Sequence, residues 1–190
     1  MGNEVEIDEK YTPYNHKGTK IDGVKSKHRG TPAEKRGLSN DQVCIITVVQ
    51  RFGKTVAKTL NYGKTTSLNL MAFGECLQPN SFVMLDGSNS YNQLLESKNC
   101  TKEILISHKT YDKFNHLNNV NNFHNLIEER LQKYKGVASK YMNRYNSLFV
   151  MMRETQDMDK TEKLQYVLLK LKGIYKITRL KDLKSEWLFV

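Results

Sequence analysis

The sequence is short of the features that carry a chain out of the cell or into a membrane. Its three cysteines, Cys44, Cys76 and Cys100, form no C-x-x-C pair. That spacing argues against a structural zinc site and points to a reducing cytoplasm, with the thiols as buried apolar filler. No apolar run approaches the roughly 20 residues that a bilayer-spanning helix requires, and the longest, Val43 to Val49, is interrupted by Thr47. The N-terminal MGNEVEIDEK is acidic where a secretory signal is basic and then apolar. A nucleotide-binding loop is missing too. Gly53-Lys54-Thr55 and Gly63-Lys64-Thr65 end like one, but its opening glycine falls on Val48 or Lys58. There is no internal repeat and no low-complexity block.

What is present suits a globular protein. With 190 residues, 38% hydrophobic and 26% charged, the chain can bury one real core. Its net charge of +10 is unevenly spread. Residues 1–9 carry four acids and no base, whereas residues 10–64 carry twelve Lys and Arg against three acids. Lys17, Lys20, Lys25, Lys27, Arg29, Lys35 and Arg36 fall in one Gly- and Pro-punctuated stretch. Read functionally, that stretch is a flexible arm laid along phosphates, each contact releasing counterions; read blandly, it is a solvated, partly disordered loop.

The order of elements is legible from periodicity. Val5 to Asp8 alternates as a strand, Val43 to Val49 and Thr55 to Leu60 form two more joined through Arg51-Phe52-Gly53, and together they predict an antiparallel meander. A helix over Thr65 to Leu77, a strand over Phe82 to Leu85, a helix over Tyr91 to Lys98 and a strand over Ile104 to Ile106 follow. Helices near Asn119 to Lys135, Lys140 to Arg153 and Thr161 to Lys172 complete the pattern. Because Val43 to Val49 is apolar at nearly every position, its sheet is expected to be covered on both faces.

The first strand breaks that apolar rule. Val5 and Ile7 share one face, so Glu4, Glu6 and Asp8 line the other, and a buried carboxylate needs a partner such as a metal ion. VMLDGSNSY sets a second acid, Asp86, at the end of an apolar run. Both Asp8 and Asp86 are read as standing at the carboxyl ends of strands, where open sheets gather ligands. If the two strands are neighbours, the two carboxylates can share a divalent cation. Asn121, with His124 and Glu128, borders the apolar stripe Val120, Phe123, Ile127, Leu131 and Tyr134 of a later helix; His124 is otherwise read as an ordinary polar residue. Ser139 is the expected cap of the next helix, which leaves Lys140 in its first turn against the dipole. Taken alone, Asp86-Gly87 reads as a turn; Tyr91, Tyr141 and Tyr145 read as core.

Five blocks in the right order carry a resemblance: EVEIDE (Glu4 to Glu9), RGLSNDQVCIITVVQRFG (Arg36 to Gly53), VMLDGSNSY, HLNNVNNFHNLI (His116 to Ile127) and YKGVASKYMNRY (Tyr134 to Tyr145). From about Glu4 to about Met152 the chain resembles the catalytic domain of bacterial insertion-sequence transposases of the DDE type, ISXO-like group, in its variant with Asn at the third position. The resemblance implies an α/β, ribonuclease-H-like fold, namely a three-strand antiparallel meander plus alternating α/β in a five-stranded mixed sheet flanked by helices. The catalytic domain would cover 1–155 and a C-terminal helical tail 156–190. It implies Asp8, Asp86 and Asn121 as a metal-binding triad, Lys140 as the accompanying basic residue, two Mg²⁺ or Mn²⁺ ions, and His116 beside phosphate or metal, with a helix-entry hydrogen bond as the equal alternative for that histidine. The implied partners are double-stranded transposon ends and target DNA, bound by a homodimer or larger assembly with no membrane involved, in the cytoplasm at the nucleoid. The chain begins seven residues before Asp8, so the DNA-recognition region that family members carry ahead of it is expected to be absent. The competing expectation is a truncated, non-catalytic DNA-binding remnant that regulates or pairs with full-length transposase.

Overall fold

The computed structural model describes residues 3–18, 37–106, 114–172, 179 and 181–182. Strand β1 (Glu4–Pro13) pairs antiparallel with β2 (Gln42–Gln50), and β2 pairs antiparallel with β3 (Thr55–Tyr62). The chain then crosses through α1 (Ser67–Phe73) and a 3-10 turn (Gly74–Cys76) to β4 (Phe82–Leu85). β4 lies parallel to β1. A 3-10 turn (Asn89–Tyr91) and α2 (Asn92–Ser97) lead to β5 (Thr101–Ile104), parallel to β4. The sheet order is β3-β2-β1-β4-β5. A meander continued by two parallel crossovers, with the first strand central, is the ribonuclease-H-like arrangement in an α/β protein. Helices α3 (Asn118–Lys133), α4 (Met142–Glu154) and α5 (Lys160–Leu171) follow.

Alternation decides which helices cover which face. Val5, Ile7, Ile46, Val48, Val83 and Leu85 point to one side, where Leu70 and Phe73 of α1 and Leu94 and Leu95 of α2 close the core. Val43, Ile45 and Ala57 point to the other, against Phe123 and Ile127 of α3 and Met142 and Phe149 of α4. With both faces covered, all seven residues from Val43 to Val49 are buried, as a run apolar at every position but Thr47 requires.

Several boundaries differ from the sequence reading. β1 runs on to Pro13, because Lys10, Tyr11 and Thr12 keep their pairing with β2. Asp8 is therefore in the middle of a strand, not at its carboxyl end. The last sheet strand ends at Ile104, since its register with β4 starts at Thr101. The helix expected from Thr65 begins at Ser67, where Thr66 caps it by accepting a hydrogen bond from the Asn69 backbone N–H. Ser139 caps nothing. Its hydroxyl accepts a hydrogen bond from the Asn15 N–H at 2.8 Å, and its own N–H donates to the Asn15 carbonyl at 2.7 Å. That reciprocal pair staples the chain leaving β1 to the entry of α4. No helix among the described residues is long and apolar enough to cross a membrane.

Candidate metal centre

The sheet register brings the two aspartates together. β1 pairs with β4 only along Glu4 to Glu6, with Glu6 opposite Met84. Continuing that parallel register by two residues sets Asp8 opposite Asp86, where β4 has just ended. Beyond this point β1 has β2 on one side and, among the described residues, no strand on the other. The result is a notch in the sheet, reachable from both faces. This is why Glu9, whose side chain alternation sends to the face opposite Asp8, also reaches it. Ligand oxygens of Asp8, Glu9 and Asp86 all lie within 4.8 Å of one another. They open onto a cleft of about 470 Å³, lined also by Lys64, Thr65, Ser88 and Ser90.

Local hydrogen bonds aim the carboxylates. The Glu9 N–H donates to Asp8 Oδ1 at 2.9 Å, curling that carboxylate towards the notch. The Ser88 N–H donates to Asp86 Oδ1 at 3.2 Å, an Asx turn that holds the loop after β4. Gly87 between them adopts φ +93°, and a Cβ there would meet Ile104 Cγ2 at 2.7 Å. Gly87→Ala is therefore expected to cost about 1–3 kcal/mol and to swing Asp86 out of the notch; a thermal melt together with divalent-ion titration reads both effects.

Burial, with the like charges of Asp86 and Glu9 against it, pushes the Asp8 carboxyl up to about 7, although the Glu9 N–H bond works the other way. Burial likewise raises Glu9, and Asp86 adds to the rise. On the α3 side, His124 Nδ1 stands 3.6 Å from Asp8 Oδ2. Burial, helped by Lys10, lowers that imidazole to about 4. His124 is thus a buried neighbour of Asp8, and sequence reasoning missed it. Its signal was available, since it shares a helix face with Asn121 and Glu128 at spacings of three and four.

Glu6 settles a different question. Its carboxylate is fully buried, and the partner it needs is protein. Oε2 accepts from the Asn119 and Val120 backbone N–H groups at 2.9 and 3.0 Å, and Oε1 accepts from Asn119 Nδ2 at 2.7 Å and Arg51 Nε at 3.1 Å. A carboxylate at the positive end of a helix is favourable, so β1 itself pins the start of α3. His116 belongs to the same cluster: its Nδ1 lies 3.5 Å from Glu6 Oε1, and its carbonyl accepts from Arg51 Nη2 at 3.1 Å.

α3 runs along β1, with Asn119 at Glu6, His124 at Asp8 and Glu128 paired to Lys10 at 2.8 Å. Asn121, exposed, lies one turn before His124 on that helix. Lys140 sits in the 3-10 turn Ser139–Tyr141, its Nζ 5.1 Å from the Tyr141 ring centre. That turn is stapled to Asn15, seven residues past Asp8, and Lys140 does not line the cleft. Of the basic stretch, Lys17 donates to the Gly136 carbonyl at 3.2 Å, beside the end of α3. Lys20, Lys25, Lys27, Arg29, Lys35 and Arg36 lie outside the described residues.

The donor set suits a hard divalent cation. Among the described residues the candidate ligands in the notch are three carboxylates, all oxygen donors, and the like charges that add to the effect of burial on Asp8 are what a cation would neutralise.

Among solved structures, one to which the chain is similar is the simian T-cell lymphotropic virus intasome in complex with PP2A regulatory subunit B56 gamma, at 11% identity and a TM-score of 0.43. The match covers 94% of this chain and 51% of that one, so this chain spans about half its length. No curated protein matches. Residues 1–156 match the family model of the ISXO2-like transposase domain, and that span holds the whole sheet, the notch and helices α1 to α4; the chain belongs to the ISXO2-like transposase family.

Proposed function

We propose that this chain is a transposase catalytic domain that cleaves DNA strands and transfers them, using divalent metal ions held by Asp8, Asp86 and Asn121. The observation that carries the reading is the register of β1 against β4, which brings two acids 78 residues apart in sequence to one notch beside a polar cleft. When bound, Mg²⁺ or Mn²⁺ supplies activation of a water or a DNA 3′-hydroxyl and charge neutralisation at the leaving oxygen.

The chain's own groups do the rest. Asp8 and Asp86 fix the position of the scissile phosphate, each aimed by a backbone N–H. Asn121 adds a neutral carbonyl from α3. Lys64, on the cleft wall, faces the phosphodiester from one side. Lys140 contacts a phosphate further along the strand, and the basic stretch from Lys17 to Arg36 lies along the duplex. His116 acts through Glu6 and Arg51, holding the start of α3 rather than touching DNA.

The test is a labelled duplex carrying the element's terminal repeat, incubated with the chain and Mn²⁺ or Mg²⁺ alongside Asp86→Asn. Nicked or joined products that vanish in the variant support the reading. Salt-sensitive binding with no products from either protein overturns it in favour of a DNA-binding remnant.

A further inference from the structure

Asp8, Asp86 and Asn121 bring two negative charges to a site proposed for two divalent cations, and the third acid in the notch has no assigned work. Glu9 stands within 4.8 Å of both aspartates, on the wall of the same cleft. A strand normally keeps neighbouring side chains on opposite faces. Asp8 and Glu9 converge only because β4 stops at Leu85 and leaves the β1 edge open there.

A second observation points the same way. Tyr91, in the turn that follows the Asp86 loop, is fully buried in the apolar core. Its hydroxyl forms no hydrogen bond of normal geometry, yet the groups that act on it are Glu9, Asp8 and Asp86. A buried phenol beside three acids has a proton to donate to one carboxylate oxygen, and a carboxylate has a second oxygen left for a ligand. Lys64 lines the same cleft and also acts on the Glu9 charge.

We infer that Glu9 is a third carboxylate ligand of the divalent-metal site, positioned by the Tyr91 hydroxyl, which supplies the negative charge that Asn121 cannot. The inference rests on the metal-dependent reading of the notch. With Glu9 the ligand set carries three negative charges, all from hard oxygen donors, as Mg²⁺ and Mn²⁺ favour. Tyr91 acts through Glu9 and is a positioning residue.

Mn²⁺ titration followed by electron paramagnetic resonance of the free ion tests this on the full chain without DNA. The comparison set is wild type, Asp8→Asn, Glu9→Gln and Tyr91→Phe, with circular dichroism as the check on folding. The expected result is binding by wild type, loss in Asp8→Asn, weakening of about tenfold or more in Glu9→Gln, and weakening of about two- to fivefold in Tyr91→Phe. If Asp8→Asn loses the ion while Glu9→Gln stays within about threefold of wild type, Glu9 is no ligand and the proposal falls, with the metal reading intact. If wild type binds no better than Asp8→Asn, the metal reading fails and takes this proposal with it. Should Glu9→Gln prove unfolded, Tyr91→Phe decides: unchanged binding in a folded Tyr91→Phe overturns the arrangement.

Discussion

Glu6→Ala is expected to destabilise the fold by about 3–5 kcal/mol, the cost of breaking a buried pair and leaving its partners unsatisfied. The side chain is fully buried and sits where β1, the β2–β3 hairpin and the start of α3 meet. Removing it strands two backbone N–H groups of α3 and the Asn119 amide at once, and leaves Arg51 with Glu4 and the Phe114 and His116 carbonyls but without its buried carboxylate. Arg153 donates to the Asn119 carbonyl at 3.0 Å, so a second cation also loses the charge that balances it. Glu6→Gln keeps an acceptor for the helix start but not the charge facing Arg51, and about half the loss is expected. Urea unfolding at pH 7 gives both numbers. A loss below about 1 kcal/mol for Glu6→Ala would mean that α3 is held by its apolar stripe alone.

Asp8→Asn is expected to reduce metal-dependent strand cleavage by about a thousandfold or more, several kcal/mol of transition-state stabilisation. The same change should stabilise the metal-free protein at pH 8 by about 2–4 kcal/mol. The sign follows from proton binding. In the folded chain the Asp8 carboxyl is pushed up to about 7 from the 3.8 of an unperturbed aspartate, so its contribution is complete below pH 4 and lost as pH rises through 7. His124 works in the other direction. Its imidazole is lowered from 6.5 to about 4, so its contribution is present above pH 6.5 and lost as pH falls towards 4. Between pH 4 and 6.5 the two slopes oppose each other, and the wild-type protein should show little pH dependence from this pair. Asp8→Asn removes one slope, and stability should then climb from pH 4 to 6.5. Melting temperatures in EDTA at pH 4.5, 5.5, 6.5 and 8 read the whole pattern. A wild type that is most stable at pH 8 without metal would refute the strain at Asp8.

That strain has a functional sense. Three acids within 4.8 Å of one another are unfavourable without a cation and favourable with one. The fold therefore gives up stability at the place where a ligand would restore it.

Much of this architecture was open to a reader of the sequence, and the particular residues show why. The run from Val43 to Val49, apolar at every position but Thr47, announced a central strand covered on both faces, and it is buried throughout. Alternation along EVEIDE separated Val5 and Ile7 from Glu6 and Asp8, and the two sets do face opposite helices. The acid that closes the apolar run in VMLDGSNSY marked the loop that lines the cleft. These features are local: they depend on hydrophobic period and on the residues either side of a strand end.

What tertiary structure alone decided is which acids meet, and with what. Glu6 and Asp8 are two residues apart on one face of one strand, yet Glu6 is satisfied by a helix start and an arginine while Asp8 is left among like charges. Nothing in the alternation distinguishes them; the distinction is where β4 ends and where α3 begins. Glu9 was hidden for the same reason, since period two sends it away from Asp8 and only the missing neighbour beyond Leu85 brings it back. His124 was hidden because its burial depends on the path of α3 along β1, set by a Glu6 contact 114 residues apart in sequence. Sequence period fixes which face a side chain takes, whereas the register between strands and the anchoring of a helix fix which charges share low-dielectric space, and it is that sharing which creates a site.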